Sequence, residues 1–573
     1  MPTWLFGSLR GYRPAWLRGD VLAGLTVWAV LVPESLAYAT IAGAPPVVGL
    51  YAAVPSLLLY AALGSSRHLV VGPMSATAAL SAGIVTVFAA GGSDRYLALT
   101  AALAIVTGVL GVVAGLLRLG FLASFISEPV LKGFIVGLAL TIIVGQVPKL
   151  FGVEKGDGDF FEQAWTFLSR LGQTSGPTLA VGAVSLAIVL AVKRWLPMLP
   201  GSLIAVLLGI AAVAVLDLDR HGVAIVGHID AGLPSLGLPD VPAKDYLQLV
   251  GPAVGVLLVG FAEGLGAAKT YAARAGYDVD PNRELIGMGG ANLGSGLASG
   301  MVVNGSLSKT AVNGGAGARS QISGLVVAGL SVVTLLFLTG LFEKLPEATL
   351  AAVVIAAVVE LVDVAALRRL YAVYSSRLGA IYGHAVRVDF ASAVAAMLGV
   401  LVFDTLPGLV IGIAVSMLLL LYRTSRPNVA RLVRGPGPVW VDASRHPELP
   451  PDPDVVVVRV ESGLFFANAD HVRARIRALV TPQTRAVVLD GETTPTIDVS
   501  AAAMLVQLAR DLDRDGVTLL VARDIGQVRD VLDRTDETAG RIFPTVEDAV
   551  AAARADRPGI SAPGRTPPAP RSP

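Results

Sequence analysis

The sequence predicts an α-helical polytopic membrane protein of about fourteen segments, arranged as two inverted repeats of seven, followed by a cytoplasmic α/β domain. Three observations predict it. Charge is scarce and unevenly spread. One short, un-helical phrase occurs twice inside apolar sequence. The composition changes abruptly after Arg423.

The first observation sets the class. Of 573 residues, 54% are hydrophobic and 15% charged, against about a quarter charged in a soluble protein. Residues 35–66, 96–117, 171–192, 195–216, 285–308 and 320–342 hold no Asp, Glu, Lys or Arg. Each is as long as the roughly 20 apolar residues that a membrane helix needs. The start, "MPTWLFGSLRGYRPAWLRGD", is basic and has no apolar core of signal-peptide shape. A net charge of +1 points to no nucleic-acid partner, and the absence of cysteine excludes disulfides and thiolate chemistry.

Basic residues in short loops orient the chain. With residues 1–19 and Arg10, Arg13 and Arg18 inside, alternate loops carry Arg67, Arg118, Lys193, Arg194, Lys269, Arg274, Arg319, Arg368, Arg369, Arg377 and Arg387. The opposite loops carry Asp157, Asp159, Asp217 and Asp219. An even number of crossings returns the chain to the cytoplasm at Arg423, so both termini are expected on the inner side of the cell (inner) membrane.

The second observation divides the membrane region, residues 20–425. "HLVVGPMSATAA" begins at His68 and "GMVVNGSLSKTA" at Gly300. Val70 and Val71 align with Val302 and Val303, Gly72-Pro73 with Asn304-Gly305, and Met74 with Ser306. About 40 residues before each phrase stands an intramembrane glutamate, Glu34 in "VPESLAYA" and Glu263 in "FAEGLGAA". Repeats of about 20–216 and 246–422, each with an odd number of segments, must insert with opposite topology, which is a plan of secondary transporters. A valine pair followed by Gly-Pro or Asn-Gly does not continue a helix. Extended backbone at membrane depth is tolerated only where protein or a cavity surrounds it. A helix starting there presents free N–H groups and about half a positive charge. Two facing starts make an anion site, built on Met74, Ser75 and Ala76 in one half and Ser306, Leu307 and Ser308 in the other, with Lys309 nearby.

Individual residues carry further expectations. Glu34 is the candidate proton carrier, because an intramembrane acid is costly and a carboxyl out of water favours its neutral form. Glu263 is its expected symmetry mate, coordinating the site or pairing with Lys309 or Lys269. Tyr38, one turn after Glu34, either donates to substrate or packs. Asn304 and Asn313 are expected to satisfy backbone, and Pro45, Pro46 and Gly49 to form a turn and a packing contact. The six histidines show no metal spacing, and no cofactor is expected. No nucleophile–base pair or nucleotide loop appears, so enzymatic activity is not expected.

The third observation marks the soluble part. Pro427, Pro436 and Pro438 suggest a linker over 426–453. "DVVVVRVES", "TRAVVLDGE" and "VTLLVARD" read as buried strands, while "DHVRARIRALV" and "SAAAMLVQLARDLDRDG" read as amphipathic helices. Thr545 caps a last helix, and the Pro-rich tail 556–573 is expected to lack structure. Asp498 reads as a helix cap.

"VPESLAYATIAGAPPVVGLYAAVPSLLLYAALGSSRHLVVGP" resembles the signature region of the SulP (sulfate permease) family of anion transporters. "YDVDPNRELIGMGGANLGSG" and "NGSLSKTAVNGGAGARSQISG" are similar to its second-half motifs, and "GLFFANAD" with "TIDVSAAAMLVQLARDL" resembles its STAS domain, here 454–555. The resemblance implies core and gate domains, substrate between the starts of helices three and ten, and often a homodimer. Many members have Gln at the position of Glu34, and a carboxylate there resembles that of proton-coupled members; sulfate is the first expectation among the anions the helix starts would accept, which include bicarbonate, chloride and fumarate. Many animal relatives have Arg at Lys309; Lys keeps the charge but loses the fork, so Lys309 is expected to tune the field. STAS relatives in signalling place a phosphorylatable hydroxyl near Ser500. The expected function is a proton-coupled symporter of a small inorganic anion. The alternatives are a bicarbonate or C4-dicarboxylate carrier, with sodium as a second coupling ion, and a passive anion channel.

Overall fold

The computed structural model describes residues 5–121, 127–359 and 385–523, apart from 157, 197–198, 230, 404 and 438, together with 541–555 and isolated positions 362, 368, 371 and 526. Asp157, Arg369, Arg377, the side chain of Arg387 and the tail 556–573 lie outside the described residues. The chain divides into two units, Met1–Met417 and Leu418–Pro573.

The first unit is helical. Its first half holds α1 (Leu17–Ile41), α2 (Val47–Leu63), strand β1 (Val70–Gly72), α3 (Ser75–Val85), α4 (Asp94–Leu116), α5 (Glu128–Phe151), α6 (Phe160–Ser169), α7 (Gly176–Trp195) and α8 (Gly201–Leu216). The second half holds α9 (Ala243–Ala275), α10 (Pro281–Leu297), strand β2 (Asn304–Ser306), α11 (Leu307–Gly315), α12 (Ile322–Val333, continued by a π turn Thr334–Leu338), α13 (Glu347–Val359), α14 (Ala385–Phe403) and α15 (Thr405–Ser425). Among the described residues six helices are long and apolar enough to cross a membrane, and others are shorter apolar segments. α6 has no buried residue and starts with a capping box of Asp159 and Glu162, so it is a surface helix. Without it, the segments among the described residues fall into two sets of seven.

Packing repeats between the sets. α4 lies against α10 and α9, and in the same way α12 lies against α2 and α1. α5 packs on α14 as α13 packs on α7, and α1 on α11 as α9 on α3. These are reciprocal contacts of one pseudo-two-fold. Small residues bring the backbones together where packing, not water exclusion, drives association. A Cβ on Gly289 of α10 would stand 2.6 Å from the Val112 amide nitrogen of α4, and one on Gly49 would stand 1.9 Å from the Ser35 carbonyl oxygen. Gly49 thus acts in packing, beside the Pro45-Pro46 turn.

The second unit carries a six-stranded sheet of order β4-β3-β5-β6-β7-β8. β3 (Val429–Arg434) and β4 (Trp440–Asp442) are antiparallel, while β5 (Val455–Val460), β6 (Ala486–Asp490), β7 (Thr518–Ala522) and β8 (Ile542–Phe543) run parallel. The stretch 426–453, read from its prolines as linker, therefore contains two strands. Alternate residues of β5 face opposite layers. Val456, Val458 and Val460 pack with α16 (Ala469–Leu479) and α17 (Val499–Arg514), and Val455 and Val457 with α18 (Val546–Ala555). Asp498 caps α17 through the Ala501 amide at 2.8 Å, and Thr545 caps α18 through the Asp548 amide at 3.0 Å.

Candidate functional site

The two repeated phrases meet. β1 and β2 pair antiparallel, Val70 with Ser306, Val71 with Gly305 and Gly72 with Asn304. The last pair joins the two residues that the repeat alignment equates, so the pseudo-two-fold passes through Gly72 and Asn304. Each strand turns directly into a short helix. α3 has 11 residues and α11 has 9, and at about 1.5 Å per residue each spans about half of a bilayer core.

Extended backbone so deep needs partners for its amides and carbonyls, and side chains from neighbouring helices supply them. Asn292 brackets Val303, accepting from its amide and donating to its carbonyl, both at 3.0 Å. Thr310 accepts from the Val70 amide at 3.1 Å, Gln321 donates to the Leu69 carbonyl at 2.9 Å, and Asn313 donates to the His68 carbonyl at 2.9 Å. Asn304 accepts from the Gly305 amide at 2.7 Å. Asn304 and Asn313 thus hold backbone, as expected.

The two helix starts differ. On α11, Ser306 accepts from the Lys309 amide at 3.2 Å. On α3, Met74 precedes the helix in extended conformation, and no side chain caps it. The free N–H groups of the first turn of α3 are therefore the less satisfied pair member. Met74, Ser75, Ala76 and Ser306 are buried, whereas Leu307 and Ser308 are exposed, with Ser308 Oγ 3.2 Å from Ser306 Oγ.

Lys309 is where the geometry departs from expectation. It is 1% exposed, and its Nζ lies 3.0 Å from Glu34 Oε2. It also donates to the Pro73 carbonyl at 3.0 Å and sits 5.0 Å above the ring of Tyr38. A buried ammonium needs such company. Lys309 thus joins α1, the end of β1 and α11, and its partner is Glu34. Glu263 does not pair with Lys309 or Lys269 among these ion pairs; it accepts from Asn304 Nδ2 at 3.3 Å. The reason lies in the register: the offset that aligns Val70 with Val302 carries Glu34 onto Gly266, almost a turn beyond Glu263. Tyr38 is 5% exposed and serves as the floor under the ammonium. Ser500, in the other unit, is exposed at the start of α17.

Sequence reasoning missed a second set of polar residues on the side of the unit where β1 begins and α11 ends. Glu284, fully buried, accepts from Tyr60 Oη at 2.6 Å, from the Ser65 amide and hydroxyl at 2.8 and 2.7 Å, and from the Ser66 amide at 3.0 Å. Asp20, also fully buried, accepts from the Arg319 and Ser320 amides at 2.6 and 3.1 Å and from the Ser320 hydroxyl at 2.7 Å. His68 bridges the two loops through Tyr277 Oη at 3.0 Å and the Ala318 carbonyl at 3.1 Å. The acids inside the motif "DPNRELIG" and the first basic run were the available signal. A cavity of about 710 Å³ opens elsewhere, between Pro45–Tyr51, Leu97 and the segment 226–240, and no candidate site residue lines it.

Paired half-helix starts, a buried cation and an adjacent carboxylate, set in a bundle of apolar helices, define a multi-pass membrane transporter of small anions. Comparison with known proteins gives the family. The sulfate permease family pattern matches residues 17–382 and the STAS domain pattern residues 446–549. The chain belongs to the sulfate permease family. It is 38% identical to the probable sulfate transporter Rv1739c of Mycobacterium tuberculosis (strain ATCC 25618 / H37Rv), over 96% of this chain and 97% of that one. It is 29% identical to the probable sulfate transporter 3.4 of Arabidopsis thaliana, over 96% and 87%. The fold is that of the solved structure of SLC26A9, with a TM-score of 0.85 at 23% identity over 96% of this chain and 93% of that one. The transmembrane domain of the cyanobacterial bicarbonate transporter BicA matches 70% of this chain and 98% of its own, with a TM-score of 0.60 at 23% identity.

Proposed function

We propose that this protein is a proton-coupled symporter of sulfate, binding the anion between the starts of α3 and α11. The observation that carries the reading is the buried Glu34–Lys309 ion pair at those helix starts. With Glu34 ionised, the ammonium is already neutralised, and only the two helix ends remain, worth together about one positive charge. A proton on Glu34 releases the ammonium, and the site then offers about two positive charges. Sulfate carries two negative charges and can accept from free N–H groups and from Lys309. The anion takes the place of the carboxylate, so anion and proton enter together and leave together. Re-forming the ion pair after release resets the site. The names of the relatives, sulfate transporters in a bacterium and a plant, agree with the divalent substrate. Met74, Ser75, Ala76, Ser306, Leu307 and Ser308 supply the backbone cradle, Lys309 the charge, Glu34 the proton, and Tyr38 and Glu263 the wall. Membrane orientation with both termini on the cytoplasmic side of the cell membrane, and a homodimer, belong to the same reading.

The test is uptake of labelled sulfate, bicarbonate and fumarate into liposomes that hold the purified protein, under an inward proton gradient. Sulfate is expected to accumulate and to be released by a protonophore. E34Q is expected to carry sulfate down its own gradient with no response to pH. Accumulation of bicarbonate or fumarate instead would replace the substrate. Proton-driven uptake by E34Q would remove Glu34 from the coupling.

A further inference from the structure

The second unit itself records where the bilayer ends. Leu418, Leu420 and Leu421 are 66%, 54% and 60% exposed, as on a helix face made for lipid. Tyr422 follows, with Arg426 stacked 4.9 Å from its ring centre, then Arg423, a sequence of aromatic and basic side chains typical of a membrane–water boundary. The folded domain is fastened at this level, since Asn468 Nδ2 donates to the Thr424 carbonyl at 3.5 Å.

Beside that fastening the domain has an apolar patch that its own core does not use. Among the described residues after Ser425, only Val439, Phe466 and Val499 are large hydrophobic side chains left exposed. Two of the three lie on segments that meet. The Phe466 amide donates to Asp498 at 2.8 Å, and Val499 is the next residue, so the two segments are held together there, with Phe466 and Val499 73% and 84% exposed. Phe465 packs edge-on against Phe466 and stiffens it. The patch is two residues from Asn468, hence close to the level at which α15 leaves the membrane. Arg423, Arg426 and Arg475 are exposed nearby, alongside the exposed acids Glu461 and Asp470 and the half-buried Asp498. Burial beside Arg426 and Arg475 pushes the His471 imidazole below its ordinary value, which keeps that ring from adding charge.

We infer that Phe466 and Val499 form a membrane-surface anchor of the STAS domain, seated in the headgroup region of the leaflet where α15 ends, with the neighbouring arginines on anionic lipid. Apolar side chains that enter a bilayer boundary about 5–10 Å deep, flanked by basic residues, make this kind of reversible contact. A basic residue near an anionic surface adds about 1 kcal/mol, and the two apolar side chains add their buried area.

The protein has no cysteine, so single labels report single places. F466C, V499C and the control V439C are each labelled with an environment-sensitive fluorophore in full-length protein and reconstituted in vesicles of anionic lipid. Retained sulfate uptake, or retained melting temperature, confirms folding of each variant. Lipids brominated near the headgroup are expected to quench the labels at 466 and 499 several-fold more than at 439, and less so in vesicles of neutral lipid. Quenching by aqueous iodide at 466 and 499 equal to that at 439 would overturn the proposal. Protection from both quenchers would overturn it as well, because it would mean that protein covers the patch.

Discussion

At the scale of the residue, the pair that matters most was half legible. Glu34 and Lys309 each stood out as charges in apolar sequence, but their partnership did not. Charges that meet across a two-fold from different halves are separated by the whole intervening chain, and spacing carries no information about such a contact. Asp20 and Glu284 were missed for another reason. Each sits near the end of a span, where a carboxylate looks like an ordinary boundary charge, and only the fold shows that backbone amides surround it. The Glu34–Lys309 pair makes a specific prediction. K309A leaves Glu34 buried without its partner, which costs about 3–5 kcal/mol when the remaining group stays charged. The melting temperature of the purified variant is therefore expected to fall by several degrees at neutral pH. E34Q/K309M, with neither charge, is expected to melt near the parent and to bind no sulfate. Melting of K309A at the temperature of the parent would show that the pair holds nothing together.

At the scale of the element, the broken helices were the clearest signal in the sequence, because a valine pair before Gly-Pro or Asn-Gly conflicts with the helical sequence around it. What packs them was less visible. The glycines of α10 are spread through "ELIGMGGANLGSG", and composition does not say which of them touches a backbone. Gly289 does, against Val112 and Gly108 of α4. G289A must push α4 and α10 apart, and overpacking of this kind costs about 1–3 kcal/mol. A lower melting temperature and slower uptake are expected, whereas G329A on α12, with nothing within 4 Å of the added carbon, is expected to change neither. In the soluble domain β3 and β4 were hidden, since Pro427 and Pro436 flank a run too short to show alternation. The last helix of that domain makes a pH prediction. Partial burial raises the Asp452 carboxyl, but hydrogen bonds from Arg554 at 2.5 Å and from the Asp454 and Val455 amides outweigh it, and the net direction is down. A lowered folded value gives stability that is present above the ordinary Asp value of about 3.9 and lost as pH falls through the folded value. Arg554 is 60% exposed, so solvent screens the pair and its share is about 1 kcal/mol or less. D452N is expected to lower the domain's melting temperature slightly at pH 7, by an amount that shrinks as pH falls below about 3.9, as followed by circular dichroism of the full chain.

At the scale of the whole molecule, the division into a membrane region and a soluble domain was legible from composition, but the place to cut was not. Every side chain proposed for the anion site lies within Met1–Met417. The sheet of the second unit, however, begins at Val429, among the prolines that suggested a linker and well before residue 454. A cut after residue 439 would strand β3, whose partners β4 and β5 would be gone, and leave an apolar edge in water. A stop after Ser425 removes the whole sheet and keeps α15 intact. Truncation there is expected to leave sulfate affinity, measured on the purified protein at acidic pH by calorimetry, the same as that of the full chain. The longer truncation after residue 439 is expected to aggregate. Loss of binding in a folded, monodisperse chain ending at Ser425 would mean that the soluble domain shapes the anion site, and the division of labour between the two units would have to be redrawn.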